Sequence, residues 1–396
     1  MTNGVAGSDG SDGNQPFAFD GGAGQDTFTI SGDSAVLSLI GGGVVLAATA
    51  STTGFLTTRT PHKALEPWTT AGSYPEPRKF ALSYAVLAPN PHNRQPWTVD
   101  LRQDGKVVVL RDKQRDLPMT DPHNRQIIIG LGCFLELMRI AAAQKGFAVE
   151  HVIFPQGEDG PVAVSTFKPG AQPDPLFAQV MQRRSCKEPF EDRPVPADLA
   201  AHLSGFATII TQAEPVAAVR KLTWDAFLVE ALTPHTMRES VDLMRFGKAE
   251  INANPDGIDL GGPFLEALML AGQLTREDQL DPSSNGFKQG IEIYRDMLEA
   301  TPAYAVLTSP TNTRADQIEA GRRWLRLNLM TTRLGLALHP VSQALQEYPE
   351  MAAHYKSAHD MLAQPGHTVQ MLGRLGFGPE VQETPRWPLE TRIAHG

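Results

Sequence analysis

The sequence predicts an α+β fold made of two related halves in one chain, and three observations carry that prediction. Short apolar or alternating stretches are interleaved with long helical ones from Arg59 onward. Two of the helical stretches share a signature, Gly132…Gly146-Phe-Ala-Val and Gly321…Gly335-Leu-Ala-Leu, with the same spacing and the same small–apolar ending. A proline-locked polar loop lies in the first half, and a basic run opens the second.

Composition narrows the function classes. A chain of 396 residues can bury one large core or two ordinary ones. Hydrophobic residues make up 41% and charged residues 20%, the balance of a soluble globular protein. A net charge of −9 and the lack of a basic run suited to a groove argue against a nucleic-acid partner. Cys133 and Cys186 form no CxxC, and the histidines show no HExxH spacing, so neither a disulfide framework nor a metal site is expected.

Residues 1–34 are rich in Gly, Asp and Ser, contain no Lys or Arg, and are expected to be disordered. Residues 35–55 follow as a hydrophobic segment in which Ala48-Thr49-Ala50 looks like a signal-peptidase site. Ser31-Gly32-Asp33-Ser34 stands where the arginines of a twin-arginine export signal would be, and no positively charged region precedes the apolar run. Two readings stay open: a degenerate export or anchor segment that touches a membrane through residues 35–50, or a buried arm of an otherwise cytoplasmic protein.

The body divides into a first half, 56–172, and a second, 173–396. In the first, Arg78–Ala88 reads as a helix, and Trp97–Leu101 and Lys106–Leu110 as a hairpin about Gln103-Asp104-Gly105. Asp121 opens a long helix that Gly146 ends, and strands follow at Ala148–Phe154 and Val162–Phe167. In the second, helices are expected at Pro175–Arg184, Ala197–Leu203, Pro215–Glu230 and Pro234–Glu250, then a loop over 252–262 and helical sequence over 263–300. Ala303–Thr308 reads as a strand, Asn312–Leu334 and Pro349–Leu362 as helices, and His367–Leu372 as a short tail strand.

Two stretches hold the chemistry. In Ala88–Trp97, Pro89, Pro91 and Pro96 exclude a helix and favour a stiff, extended loop that displays Asn90, His92, Asn93, Arg94 and Gln95. Alternating donors and acceptors suit the edge of a flat heteroaromatic ligand, although a surface turn has the same composition. Arg183-Arg184-Ser185-Cys186-Lys187 gathers three cations and a hydroxyl, a set that grips phosphate and also occurs at solvated helix ends.

These residues resemble the motifs of the nitroreductase family. Ala-Pro-x-x-x-Asn-x-Gln-Pro-Trp at 88–97 is similar to that family's flavin-edge loop. Arg183-x-Ser185-x-Lys187, followed by Phe190 and Pro194-Val195-Pro196, is similar to its N-terminal signature. Pro385-Arg386-Trp387-Pro388-Leu389-Glu390 resembles its C-terminal segment, with Thr384 where the family often has Lys. Gly335–Gln343 resembles the stretch after its long helix, with Gln343 where Gly is frequent. The edge loop precedes the basic motif, an order similar to that of the Acg-type branch, whose members are long single chains.

The resemblance implies a nitroreductase-like fold arranged as a fused pseudo-dimer with one FMN. It implies hydride transfer from NADPH or NADH through flavin N5 to a small-molecule electron acceptor such as a nitroaromatic or a quinone, by a ping-pong scheme. Arg183, Arg184, Ser185, Lys187 and Arg386 are expected at the FMN phosphate and ring, and Pro89, Asn90, Pro91, Asn93 and Gln95 at the flavin edge. Ser342 and Gln343 are expected near N5. No side chain acts as the catalyst in this scheme, and His92 is the candidate for the substrate side. The alternative is a protein that sequesters FMN under a lid formed by 252–290 and does not turn over. A monomer or weak dimer is expected.

Overall fold

This computed structural model describes residues 58–395, together with the backbone of four antiparallel strands at Phe17–Asp20, Thr27–Ser31, Ser34–Leu39 and Val44–Thr49. The expectations of disorder over 1–34 and of an export or anchor segment over 35–55 otherwise lie outside the described residues.

In the first half, helix α1 (Pro77–Ala85) starts where the Glu76 carboxylate accepts the amide N–H groups of Arg78 and Lys79, with proline at the first helical position. Strands β1 (Trp97–Asp100) and β2 (Lys106–Arg111) pair antiparallel across a turn in which Gly105 has φ 65°. Helix α2 (Arg125–Ala143) begins under the Asp121 carboxylate, which accepts from Gln126 and Ile127 at 3.1 and 2.9 Å. It is apolar and buried on almost every face, the pattern of a central core helix. Strands β3 (Phe147–Ile153) and β4 (Ala163–Pro169) follow.

The second half repeats this plan. Strand β5 (Thr208–Ile210) pairs with β6 (Ala303–Ser309), helix α3 (Arg314–Arg333) opens with a Thr313/Asp316 capping box, and β7 (Ala337–Pro340) and β8 (Thr368–Gly376) complete a sheet. The strand orders are β1-β2-β4-β3 and β5-β6-β8-β7, with every neighbouring pair antiparallel. In each half the long helix links the second strand to the third. A last strand, β9 (Ile393–His395), joins β1 in parallel, so the tail of the second half extends the sheet of the first.

The two long helices meet at Gly132 and Gly321. A Cβ on Gly132 would overlap the Ile318 carbonyl, and one on Gly321 the Ile129 carbonyl. Each struck residue lies three positions before the opposite glycine, so the contact is reciprocal. Ion pairs follow the same symmetry. Arg125 pairs with Glu347 at 3.4 Å, and Arg314 with Glu158 at 2.9 Å. Both arginines stand seven residues before their own glycine, and both glutamates twenty-six after theirs.

The halves differ in one connection. β1 and β2 are joined by a tight turn, whereas residues 211–302 separate β5 from β6. That insertion holds helices Ala213–Leu232, Pro234–Asp242, Gly247–Ala253, Pro263–Leu270 and Asn285–Glu299. It also holds a small parallel pair, Met244–Phe246 with Ile258–Leu260. The expected helix Pro234–Glu250 is therefore broken, because the Leu243 carbonyl turns out to accept the Ile258 N–H. The expected helix Pro175–Arg184 shrinks to a 3-10 turn at Pro175–Gln179, since the chain beyond is drawn to β7, where Cys186 N–H meets the Leu338 carbonyl at 3.2 Å. The expected short tail strand at His367–Leu372 is a nine-residue strand at the centre of its sheet.

Candidate functional site

Arg183 and Arg386 come together where α1 ends. Arg183 donates through Nη2 to the Leu87 carbonyl at 2.9 Å and through Nη1 to Asn328 Oδ1 at 3.0 Å. Arg386 donates through Nη2 to the Leu87 and Ala88 carbonyls, both at 3.3 Å, and through Nη1 to Asn93 Oδ1 at 2.7 Å. Two buried guanidiniums thus share one carbonyl oxygen. Among the described residues no carboxylate forms an ion pair with either, and Arg386 Nε is buried without a partner. Burial pushes Arg183 down to about 10, and burial with the Arg183 charge pushes Arg386 down to about 9. Guanidiniums stay protonated near neutrality, so the pair is an excess of buried positive charge that calls for an anion.

Lys187 is exposed, and its ammonium has no hydrogen bond or ion pair among the described residues. It stands close enough to His92 and to Asp259 to act on both charges. Asp259, on the Ile258–Leu260 strand of the insertion, has its carboxyl raised by burial against the opposing pull of Lys187 and Arg386. It is the carboxylate that the insertion brings to this cluster. Arg184 is placed differently: it is tied to Glu383 at 2.6 Å and lies 4.7 Å over the Trp68 ring, so its charge is already matched. Ser185 is half-buried beside them.

The proline loop is not extended. It winds through Pro91–Asn93, and His92, Asn93 and Gln95 adopt φ of 45°, 50° and 50°. The reason is local hydrogen bonding: Asn90 Oδ1 accepts the Gln95 N–H at 2.6 Å, closing the turn. Pro91 rests on α2 at Gly130, where a Cβ would stand 3.0 Å from its Cδ. The amides expected to face a ligand are engaged within the protein. Gln95 accepts from Trp387 N–H at 2.8 Å and donates to the Pro255 carbonyl at 2.7 Å. Asn93 donates to the Pro385 carbonyl at 3.0 Å while its oxygen holds Arg386. The loop is a clasp that binds the tail and the insertion to α1. Asp256 fastens the same junction, gathering Arg94 at 3.4 Å, Arg245 at 2.8 Å and Arg115.

His92 Nδ1 is buried without a partner, and burial, with Lys187 and Arg94 adding, pushes the ring down to about 4. The imidazole is neutral at pH 7. Pro89 is half-buried at the start of the loop. Ser342 and Gln343 follow β7; the Gln343 amide donates to Tyr294 Oη at 2.7 Å. No hydrogen bond or ion pair among the described residues links them to Arg183, Lys187 or Arg386. Sequence reasoning missed Asp256 and Asp259, which sit in an insertion without a motif and reach the cluster only through tertiary structure.

The clasp makes a direct prediction. Gln95→Ala leaves the Trp387 N–H and the Pro255 carbonyl unpaired in a buried place, at an expected cost of about 2 kcal/mol. A thermal melt measures it; a loss within error of an exposed control such as Gln103→Ala would contradict the clasp.

The fold and site define an α+β chain of two like units with a buried arginine pair at their junction. By sequence it is a relative of nitroreductase-family proteins of the Acg type. Two Mycobacterium tuberculosis (strain ATCC 25618 / H37Rv) proteins whose names read "Putative NAD(P)H nitroreductase", Rv3131 and acg, are 24% and 26% identical to it. Each alignment covers 79% of this chain, and 92% and 93% of the relatives respectively. Among solved structures, the FMN-dependent nitroreductase NfnB from Mycobacterium smegmatis in complex with NADPH is similar over 56% of this chain and 98% of its own, with 16% identity and a TM-score of 0.36. No family model matches the chain.

Proposed function

We propose that this protein is an FMN-dependent NAD(P)H oxidoreductase of nitroreductase type, its two halves forming a fused pseudo-dimer with one flavin site. The observation that carries the proposal is the Arg183–Arg386 pair, buried against the Leu87 carbonyl with no carboxylate in ion-pair contact among the described residues and only Asp259 acting on Arg386 from nearby. A phosphate monoester accepts from guanidinium forks in bidentate fashion and supplies the missing charge. The orphaned Arg386 Nε and the free Lys187 ammonium fit the same anion.

When bound, the flavin supplies hydride exchange between a nicotinamide donor and a small-molecule acceptor. The chain's own residues bind and orient. Arg183 and Arg386 hold the phosphate, and Lys187 offers a cation for the ring. Pro89, Pro91 and the wound loop contribute a rigid wall. Neutral His92 presents its unpartnered Nδ1 as an acceptor on the substrate side. Nitroaromatics and quinones are the proposed acceptors, and the chain is proposed to work as a monomer or weak dimer.

One observation favours a second reading, a protein that stores FMN without turnover. The insertion is fastened over the junction by Asp256 and Gln95, which would limit nicotinamide access. The visible spectrum of the purified protein, followed by anaerobic NADPH, separates the readings. Yellow protein with one FMN per chain that bleaches and recovers with a quinone supports the oxidoreductase. Yellow without bleaching supports storage. Colourless protein that ignores added FMN overturns both.

A further inference from the structure

Arg374 is a buried guanidinium that the proposed chemistry does not use. It stands on β8, fully buried, and no carboxylate forms an ion pair with it among the described residues; Glu188 acts on it only from nearby. All three of its nitrogens are engaged. Nε donates to Thr301 Oγ1 at 2.8 Å and Nη2 to the Glu188 carbonyl at 3.1 Å, while Cζ lies 4.1 Å over the Phe190 ring. Nη1 meets Nδ1 of His339 at 3.3 Å. His339 is directly opposite on β7, in a row Tyr304–Arg374–His339 that crosses three strands on one face of the sheet.

This contact fixes the imidazole. A guanidinium donates and never accepts, so Nδ1 must carry the lone pair and the ring proton must sit on Nε2. An imidazolium has no lone pair at Nδ1 and would face Arg374 as a like charge. Burial, with Arg374 and Lys187 adding, accordingly holds the ring well below its usual range. The two ring nitrogens diverge, so with Nδ1 turned to Arg374 the Nε2–H is directed away from it. His339 is 6% exposed, and its Nε2 has no hydrogen-bond partner among the described residues.

β7 is the edge strand of its sheet, and the basic segment runs beside it: the Cys186 N–H meets the Leu338 carbonyl at 3.2 Å. Lys187 follows directly, and its ammonium acts on His339 as it does on His92. A buried ring with one unused N–H thus stands near an exposed ammonium, at the junction where Asp259 feels both Lys187 and Arg386.

We infer that Arg374 is a positioning residue that fixes His339 as the Nε2–H tautomer, and that His339 joins Lys187 as a second donor to an electron-rich oxygen of the bound flavin ring. The ligand rests on the nitroreductase reading; the tautomer does not. Lys187 supplies charge and His339 supplies direction, and both act more strongly on an oxygen that gains negative charge.

The tautomer is read without any cofactor. NMR of protein labelled at the histidine nitrogens should show His339 as a neutral Nε2–H ring, its signals identified by their loss in His339→Gln. Arg374→Met should release the ring into a mixture of tautomers. His339→Leu should weaken FMN binding, read by flavin fluorescence, by about tenfold, the loss of one donor. His339→Gln, which keeps an N–H donor, should recover most of that. An Nδ1–H or charged ring in the wild type overturns the inference, as does a tautomer that Arg374→Met leaves unchanged. Equal losses of affinity in His339→Leu and His339→Gln, or none in either, overturn the donor role. A fixed tautomer in a protein that takes up no FMN keeps the Arg374–His339 pair and overturns the flavin reading instead.

Discussion

Gly321→Ala is expected to destabilise the protein by about 3 kcal/mol or more, a large value for a single methyl group. The added carbon would overlap the Ile129 carbonyl and stand 2.9 Å from both Cys133 N and Gly132 Cα. All three are backbone atoms of α2, so no rotamer change relieves them; the helices must separate, and every contact along their crossing loosens. A drop of about 10 °C in melting temperature is the expected readout. Gly335→Ala is the proper comparison. Gly335 has φ 70° but open space around its Cβ, so its cost is backbone strain alone, about 1 kcal/mol. Equal effects at the two positions would mean that the close approach of α2 and α3 does not exist in solution.

The second large effect is on binding. Arg386→Met removes one guanidinium of the buried pair and is expected to weaken FMN binding about 100-fold, the loss of a charge-assisted hydrogen-bonding group. Arg184→Met, three residues from Lys187 in the same basic run, is expected to change it by less than about threefold, because Glu383 already matches Arg184. Isothermal titration of the two apoproteins decides between them. If Arg184→Met costs as much as Arg386→Met, the anion sits over the Trp68 side of the cluster and the proposed cradle is misplaced.

Much of the fold was legible because it rests on local signals. Gly146 and Gly335, with φ of 77° and 70°, do end the long helices, and the Gln103–Gly105 turn does join a hairpin. The Gly132/Gly321 repeat was also readable, although its meaning required the reciprocal contact of the helices. The failures have a common cause. β9 and the Met244–Phe246 strand are three residues each, too short for periodicity to register, and both are held by partners distant in sequence. For the site, the residue types were visible and their employment was not. Asn93 and Gln95 have the same donors and acceptors whether they face a ligand or the protein. Only the positions of Pro255, Pro385 and Trp387 show which they do. Arg183 and Arg184 are adjacent and chemically alike, and their different fates depend on Glu383, almost two hundred residues away.

The hydrogen bond from Arg386 to the Leu87 carbonyl spans 299 residues of chain, and that from Arg386 to Asn93 spans 293. Closing so long a loop is entropically late in folding. Each half can form its long helix quickly, and the first half its hairpin, but the arginine pair cannot assemble until the tail has crossed back to α1. Refolding should therefore show two clocks. Helical signal returns early, and the capacity to take up an anion at the junction returns only in the slowest phase, when β9 docks on β1.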